Sequence, residues 1–150
     1  MSIVILKKFL NFIGLLNERN ASKITENYIQ KLNITTDSIT KKVFDLSGGN
    51  QQKVVIAKWL ATEPKILIMD DPTRGIDVGA KAEIYQLIRN LAKEGIAILL
   101  SSSEIDEVLH LSHRIHIMRD GKLIKEYTHG QIDKIEIMRY ISGDLSSVSR

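Results

Sequence analysis

The stretch LSGGNQQK at residues 46–53 determines how the rest of this 150-residue chain is interpreted. Its two glycines, Gly48 and Gly49, let a backbone approach another group without a Cβ clash. A helix-period segment follows, and the N terminus of a helix offers free N–H groups and a positive dipole end to an anion. The stretch therefore has the chemistry of a phosphate contact, although Ser-Gly-Gly is also an ordinary loop and helix cap.

The amino-acid composition bounds the class of protein. Hydrophobic residues make up 43% of the chain and charged residues 26%, which is typical of one globular domain or part of one. The net charge of +3 is spread along the chain, so it gives little support to nucleic-acid binding. The absence of cysteine excludes disulfides, thiol catalysis and cysteine-ligated zinc, and it suits a reducing cytoplasm.

The first half of the chain is predicted to be mainly helical. The apolar run at 3–16 favours an amphipathic helix packed on a neighbour, with a membrane-surface helix as the alternative, because two lysines interrupt it and it is too short to span a bilayer. A second helix is expected over 21–32 and a loop over 33–42. The helix that begins at the glycine pair ends before Pro64, and Trp59 is expected in the core.

The second half alternates strands and helices. Four apolar residues and two carboxylates at 65–71 predict a strand buried on both faces of a parallel sheet. A turn at 72–77, a helix over 78–92 and a second buried strand over 96–100 complete a strand-helix-strand crossover. Because open α/β sheets bind ligands at the carboxyl ends of their strands, the two carboxylates mark a candidate site.

The C-terminal third is predicted to hold a helix, a hairpin and a final helix. Ser101 to Glu104 cap the helix that carries Ile105, Val108 and Leu109. Strands over 114–119 and 122–127 are joined by Asp-Gly, a hairpin signal, and a helix over 132–141 precedes a tail expected to fray. The histidines at 110, 113 and 116 straddle a helix end and a strand, so they are interpreted as surface residues.

Three ordered segments together resemble the nucleotide-binding domain of ABC transporters: LSGGNQQK at 46–53, ILIMDDPTRGIDVGAK at 66–81 and ILLSSSEIDEV at 98–108. The run at 74–81 is similar to the second ATPase domain of the tandem subunits that drive importers of ribose, xylose or galactose. The resemblance implies an α/β fold, a partial P-loop NTPase (ABC ATPase) domain. It would comprise a helical signature subdomain, about 1–62, and a parallel-sheet core remainder, about 63–150, with a C-terminal β-hairpin and helix.

The resemblance also implies a set of site residues. In that family two domains sandwich two ATP molecules, and the signature loop of one domain contacts the γ-phosphate of the ATP held by the other. By position, Asp70 would hold Mg²⁺, usually through water, and Asp77 would act across the dimer. The implied nucleotide contacts of the signature loop are Ser47, Gly48, Gly49, Asn50 and Gln51.

Two positions depart from the family's catalytic pattern. Asp71 stands where hydrolysing members have a glutamate, and its side chain is one methylene shorter, which weakens the case for hydrolysis because a general base must be within hydrogen-bond reach of its water. Ser103 stands at the switch-histidine position, and serine cannot carry a positive charge. A serine at this position is also typical of the second ATPase domains of sugar importers, which the chain resembles. Both residues are therefore interpreted as degenerate catalytic positions.

The phosphate loop of the family, Gly-x-x-x-x-Gly-Lys-Ser/Thr, does not occur in the sequence. The nearest stretch, 75–82, has alanine in place of the second glycine and lacks the Mg²⁺-binding hydroxyl. The resemblance therefore predicts that Met1 lies roughly midway through the family's domain, with the phosphate-loop portion missing. The chain is expected to bind ATP poorly alone and to hydrolyse it negligibly.

The leading hypothesis is an ATP-binding component of a carbohydrate importer, cytoplasmic and peripheral on the inner face of the membrane. Its implied partners are an ABC permease, a partner ATPase domain and, indirectly, a periplasmic or extracellular sugar-binding protein; nucleic acid is not expected. The alternatives are a non-catalytic interaction module and an unstable, decayed fragment. A DNA-repair ATPase is disfavoured because coiled-coil heptads and zinc cysteines are missing.

Overall fold

The computed structural model of the protein describes residues 18–143. The helix predicted over 3–16 and the tail after 143 lie outside the described residues. Within this range the order of helices and strands agrees with the prediction, with boundaries shifted by a few residues. The elements are α1 Glu18–Lys31, α2 Gly48–Leu60, β1 Ile66–Asp70, α3 Val78–Lys93, β2 Ala97–Ser101, α4 Ile105–Leu111, β3 Arg114–Arg119, β4 Lys122–Thr128 and α5 Lys134–Ser142, with a 3-10 turn at Val43–Asp45 before α2. None of the helices between residues 18 and 143 is long and apolar enough to cross a bilayer.

The described residues fall into two compact units. The first comprises residues 18–68 and 72–99, and the second comprises residues 69–71 and 100–143. Strands β1 and β2 form a two-stranded parallel sheet, and β3 and β4 form a separate antiparallel hairpin. The chain is therefore a mixed α/β structure, as the sequence predicts.

The prediction that β1 and β2 are buried on both faces is wrong for the described residues. Along β1, Leu67 and Met69 are buried, whereas Ile66 and Ile68 are 66% and 71% exposed. On β2, Leu99 is 59% exposed. Side chains alternate between the two faces of a strand, and the described residues cover only one face of this pair. The sheet therefore leaves an apolar surface that an unbroken apolar run in the sequence does not reveal.

The expectation that Trp59 lies in the core is also wrong. Its side chain is 47% exposed, and the ammonium group of Lys58 lies 5.0 Å from its ring centroid. The residues of α2 that are buried follow a stripe of three- and four-residue spacings, namely Gly49, Lys53, Ile56, Ala57 and Leu60. Trp59 falls outside this stripe, so it lies on the exposed face of the amphipathic helix although it is large and apolar.

The hairpin predicted at Asp120-Gly121 is confirmed. Both residues have positive φ, +52° and +73°, as a type I′ turn requires. The two strands pair antiparallel around this turn, and the register shifts between Ile117 and Met118. The buried apolar residues that hold the hairpin and α5 together are Ile115, Ile117, Ile132, Ile137 and Tyr140.

Tyr127 joins the hairpin to α5 through polar contacts. Its hydroxyl lies 3.0 Å from the Tyr140 hydroxyl and 3.1 Å from Glu136 Oε1. Burial, together with the hydrogen bonds to Tyr140 and Glu136, raises the pKa of Tyr127 above its ordinary value of 10.0. Because the folded state then holds this proton more tightly than the unfolded chain, the contribution is present below about pH 10 and is lost as the pH rises further.

We expect Tyr127→Phe to lower the free energy of unfolding at neutral pH by about 1 kcal/mol, since it removes one hydrogen-bonding hydroxyl. Above about pH 10 the variant should lose stability less steeply than the parent chain, because the group with the raised pKa is gone. Urea unfolding at a series of pH values measures both effects. An identical pH slope in the two proteins would contradict the assignment.

Candidate functional site

The signature loop is fixed by side chains of its own helix. Ser47 is the N-cap of α2 but makes no side-chain bond to the helix backbone. Instead its Oγ accepts a hydrogen bond from Asn50 Nδ2 at 2.9 Å, while Asn50 Oδ1 accepts one from the Thr35 N–H at 2.9 Å. Since a hydroxyl has one hydrogen to donate, the bond from Asn50 leaves the Ser47 O–H as a donor at the exposed start of the helix.

Gln51 holds the segment that leads into the loop. Its Nε2 donates to the carbonyl of Leu46 at 2.8 Å and to that of Phe44 at 3.3 Å. The main chain of Gln51 also donates to the Ser47 carbonyl at 2.9 Å, which closes the first turn of α2. The amide groups of Asn50 and Gln51 are therefore engaged within the protein, and the groups exposed at the loop are Ser47 and Gly48.

Packing inside the protein constrains Gly49 strongly and Gly48 less strongly. A Cβ added to Gly49 would lie 2.6 Å from the Cβ of Ala80, in the first turn of α3. At Gly48 an added Cβ would lie 3.3 Å from Ile76 Cγ2. The sequence suggested that the glycine pair makes room for a ligand, but its Cβ directions point to the segment 75–80. The glycines thus let the starts of two helices approach closely.

Asp77 begins the second of these helices. Its Oδ1 accepts a hydrogen bond from the Ala80 N–H at 2.9 Å, so the side chain caps α3. Asp77 is exposed and belongs to the same compact unit as residues 46–53. The structure therefore brings Asp77 and the signature loop together through the contact between Gly49 and Ala80.

Lys53 is a site residue that the sequence reasoning did not identify. It ends the motif at 46–53, yet it is only 5% exposed. Its ammonium group lies 2.7 Å from Glu83 Oε2 on α3 and donates to the Asn33 carbonyl at 2.8 Å. Asn33 adopts a left-handed conformation, with φ +48°, at the end of α1. One cation therefore ties α2 to both neighbouring helices, and a lysine on an otherwise apolar helical stripe was the available signal.

The acidic residues at the end of β1 lie in the second compact unit. Asp70 is exposed and supplies a carboxylate of the kind that Mg²⁺ prefers. Asp71 accepts two hydrogen bonds at Oδ1, from the Ser103 N–H at 2.6 Å and from Ser103 Oγ at 2.9 Å. The two positions interpreted as degenerate catalytic residues are thus bonded to each other. Nothing in the sequence pattern indicates this, because they lie 32 residues apart.

The described residues therefore hold two groups of candidate site residues. The first unit presents donors at a helix N terminus, and its first turn contains no acidic residue. The second unit presents carboxylates at the carboxyl end of a strand. Hydrogen-bond donors at a helix start suit phosphate oxygens, and carboxylates suit a divalent cation. This chemistry is that of a nucleotide-binding ATPase domain.

The family model described as "ABC transporter" matches residues 5–74. The chain is 50% identical over 138 residues to the ribose import ATP-binding protein RbsA of Caldanaerobacter subterraneus subsp. tengcongensis, which covers 92% of this chain and 28% of that protein. It is 46% identical over 134 residues to the xylose import ATP-binding protein XylG of Thermoanaerobacter pseudethanolicus, covering 89% of this chain and 26% of that protein. The chain belongs to the family of ABC transporter ATPase domains.

A solved relative supports the same fold. The dimeric post-hydrolysis structure of the ATP-binding cassette MJ0796 bound to ADP and phosphate aligns with a TM-score of 0.68 and 25% identity. The alignment covers 86% of this chain and 54% of that cassette. The chain spans about a quarter of the length of the curated relatives it matches, 28% and 26% for the two proteins above.

The packing at Gly49 predicts an asymmetry between the two glycines. Gly49→Ala should lower the free energy of unfolding by about 1–3 kcal/mol, because the new methyl group overlaps the Ala80 methyl. Gly48→Ala is the matched control and should cost less than about 1 kcal/mol, because its neighbour is the movable end of the Ile76 side chain. Urea unfolding of both variants measures the difference. Equal stabilities would show that the close contact imposes no constraint.

The buried cation predicts a second asymmetry. Lys53→Met keeps much of the side-chain volume but leaves the Asn33 carbonyl without its donor, so we expect a loss of about 1–3 kcal/mol. Glu83 is 63% exposed at its side chain, so Glu83→Gln should cost less than about 1 kcal/mol. Chemical denaturation of both variants separates the two bonds. A larger loss for Glu83→Gln than for Lys53→Met would reverse this order of importance.

Proposed function

We propose that this chain serves as an ATP-binding component of a carbohydrate importer, in which it contributes a signature loop to an ATP sandwich. The observation that carries the proposal is the start of α2, where an exposed Ser47 hydroxyl is oriented by Asn50 and the first turn has no acidic residue. A γ-phosphate held by another ATPase domain would accept from this hydroxyl and from the N–H groups of the helix start. The names of the relatives, ribose and xylose import ATP-binding proteins, supply the carbohydrate class.

The nucleotide in this proposal is ATP with Mg²⁺. Asp70 would hold the cation, through water, at the end of β1, because its carboxylate is exposed there. Ser47, Gly48 and Gly49 would contact the phosphate from the start of α2, while Asn50 and Gln51 would act by holding the loop in shape. Asp77, which caps α3 beside the loop, would face the partner ATPase domain.

Transport requires further partners. The phosphate-loop pattern Gly-x-x-x-x-Gly-Lys-Ser/Thr occurs nowhere in the 150 residues, so another polypeptide segment would hold the β- and γ-phosphates. A membrane permease would receive the conformational change, and a sugar-binding protein outside the membrane would deliver the sugar to it. The chain would therefore act at the cytoplasmic face of the membrane, with negligible hydrolysis by itself.

The decisive experiment measures ATP-dependent association. The 150-residue chain alone should not bind Mg-ATP with micromolar affinity in calorimetry, because no phosphate loop grips the nucleotide. With a separate ATPase domain that carries a phosphate loop, association should be detected only when Mg-ATP is present. Gly48→Asp should reduce this association by more than about tenfold, since it adds a negative charge beside the proposed γ-phosphate position.

Asn90→Asp provides the matched control for added charge. Asn90 lies exposed on α3, and it accepts a hydrogen bond from Gln86 that an aspartate can also accept. We therefore expect ATP-dependent association to be unchanged in this variant. Association that is independent of ATP, or equally weakened by both substitutions, would instead favour an interaction module without a nucleotide role.

A further inference from the structure

Asp71 occupies a tightly constrained position at the end of β1. Its φ of +44° lies in the left-handed region, which is uncommon for a residue with a side chain. The Asp71 N–H donates to the Ser101 carbonyl at 2.8 Å, so the backbone is attached to the end of β2. The direction in which the carboxylate leaves the main chain is therefore set by the sheet.

From this position the carboxylate reaches Ser103 at two points. Oδ1 accepts from the Ser103 N–H at 2.6 Å and from Ser103 Oγ at 2.9 Å. Asp71, Ser101 and Ser103 all belong to the same compact unit. Because two donors share one carboxylate oxygen, these hydrogen bonds depend on the position of the carboxylate as well as on its charge.

The lengths of the two side chains are matched. A glutamate at position 71 would place its carboxylate about 1.5 Å further from the backbone, the length of one carbon–carbon bond. We expect it to overreach the Ser103 main-chain donor, which lies two residues beyond the end of β2. A histidine at position 103 would lack the hydroxyl that donates to Oδ1. The short side chain at position 71 and the hydroxyl at position 103 are thus matched in length.

A further hydrogen bond links the neighbouring residue, Ser102, to the start of α4. Next to Ser103, the Ser102 hydroxyl oxygen accepts from the Glu104 N–H at 3.0 Å, and Glu104 is the N-cap of α4. Side-chain hydrogen bonds therefore hold the segment 101–104, and the Asp71 carboxylate links it to the end of β1.

We propose that Asp71 is a positioning residue that fixes the segment 101–104 through Ser103, in place of the general-base role that its position suggests. One of its two carboxylate oxygens, Oδ1, is committed to two protein donors. The inference rests on the proposed function in one respect: in the proposed ATP sandwich, Asp71 would support binding and not turnover.

Amide hydrogen exchange of the 150-residue chain, measured without nucleotide, tests the proposal. Asp71→Ala should accelerate exchange of the Ser103 amide by about tenfold or more, because a charge-assisted bond is lost. The matched control is Asp70→Ala, which removes the adjacent, exposed carboxylate and should change this exchange by less than about twofold.

Two conservative variants separate reach from charge. Asp71→Asn keeps an acceptor oxygen at the same distance, so it should retain most of the protection of the Ser103 amide. Asp71→Glu keeps the charge but overreaches, so its Ser103 amide should exchange nearly as fast as that of Asp71→Ala. If Asp71→Ala does not fold, these two variants still decide the question. Full protection in Asp71→Glu, or equal protection in Asp71→Ala and the parent chain, would overturn the proposal.

This outcome is independent of the outcome for the proposed function. Exchange at Ser103 reports the bond in the absence of ATP, whereas Gly48→Asp reports the signature loop in its presence. A chain that fails to associate with an ATPase domain but shows the predicted exchange pattern would retain Asp71 as a positioning residue. The reverse pattern would leave ATP-dependent association intact and remove the positioning role.

Discussion

The close approach of Gly49 to Ala80 is the constraint on which the rest of the first unit depends. With 2.6 Å between an imagined Gly49 Cβ and the Ala80 Cβ, no other residue fits at position 49 without a shift of one helix. This contact sets the start of α2 beside the start of α3, so one packing requirement places both Ser47 and Asp77. The same glycine leaves the helix N terminus accessible, because its packing is directed inward and away from the exposed Ser47.

Lys53 extends this contact by one turn of α2. A buried ammonium group is costly unless it is paired, and here both a carboxylate on α3 and a backbone carbonyl at the end of α1 satisfy it. The cation therefore fixes the rotation of α2 about its axis, whereas Gly49 fixes its distance from α3. Together they determine where the exposed donors of the signature loop lie.

The sequence predicts the elements well and the faces less well. Helical spacing, Pro64 and the turn at Asp120-Gly121 specify the order and type of the elements, because these signals act locally. Burial does not follow from them, since Ile66 and Trp59 are apolar but exposed. The bond between Asp71 and Ser103 is invisible for a different reason: it depends on the pairing of two strands and on a positive φ, neither of which leaves a pattern in nearby residues.

The two groups of site residues differ in chemistry. The start of α2 offers donors, which are suited to the oxygens of a phosphate, and the end of β1 offers carboxylates, which are suited to a cation. In the proposed ATP sandwich, the signature loop would serve the nucleotide bound by another domain. Donors and carboxylates of one chain therefore need not meet at one nucleotide. The shape of the signature loop depends on the contacts of Gly49 and Asn50, whereas the Asp71 carboxylate is bonded to Ser103. Because these contacts are separate, the loop can keep its shape whatever role Asp71 has.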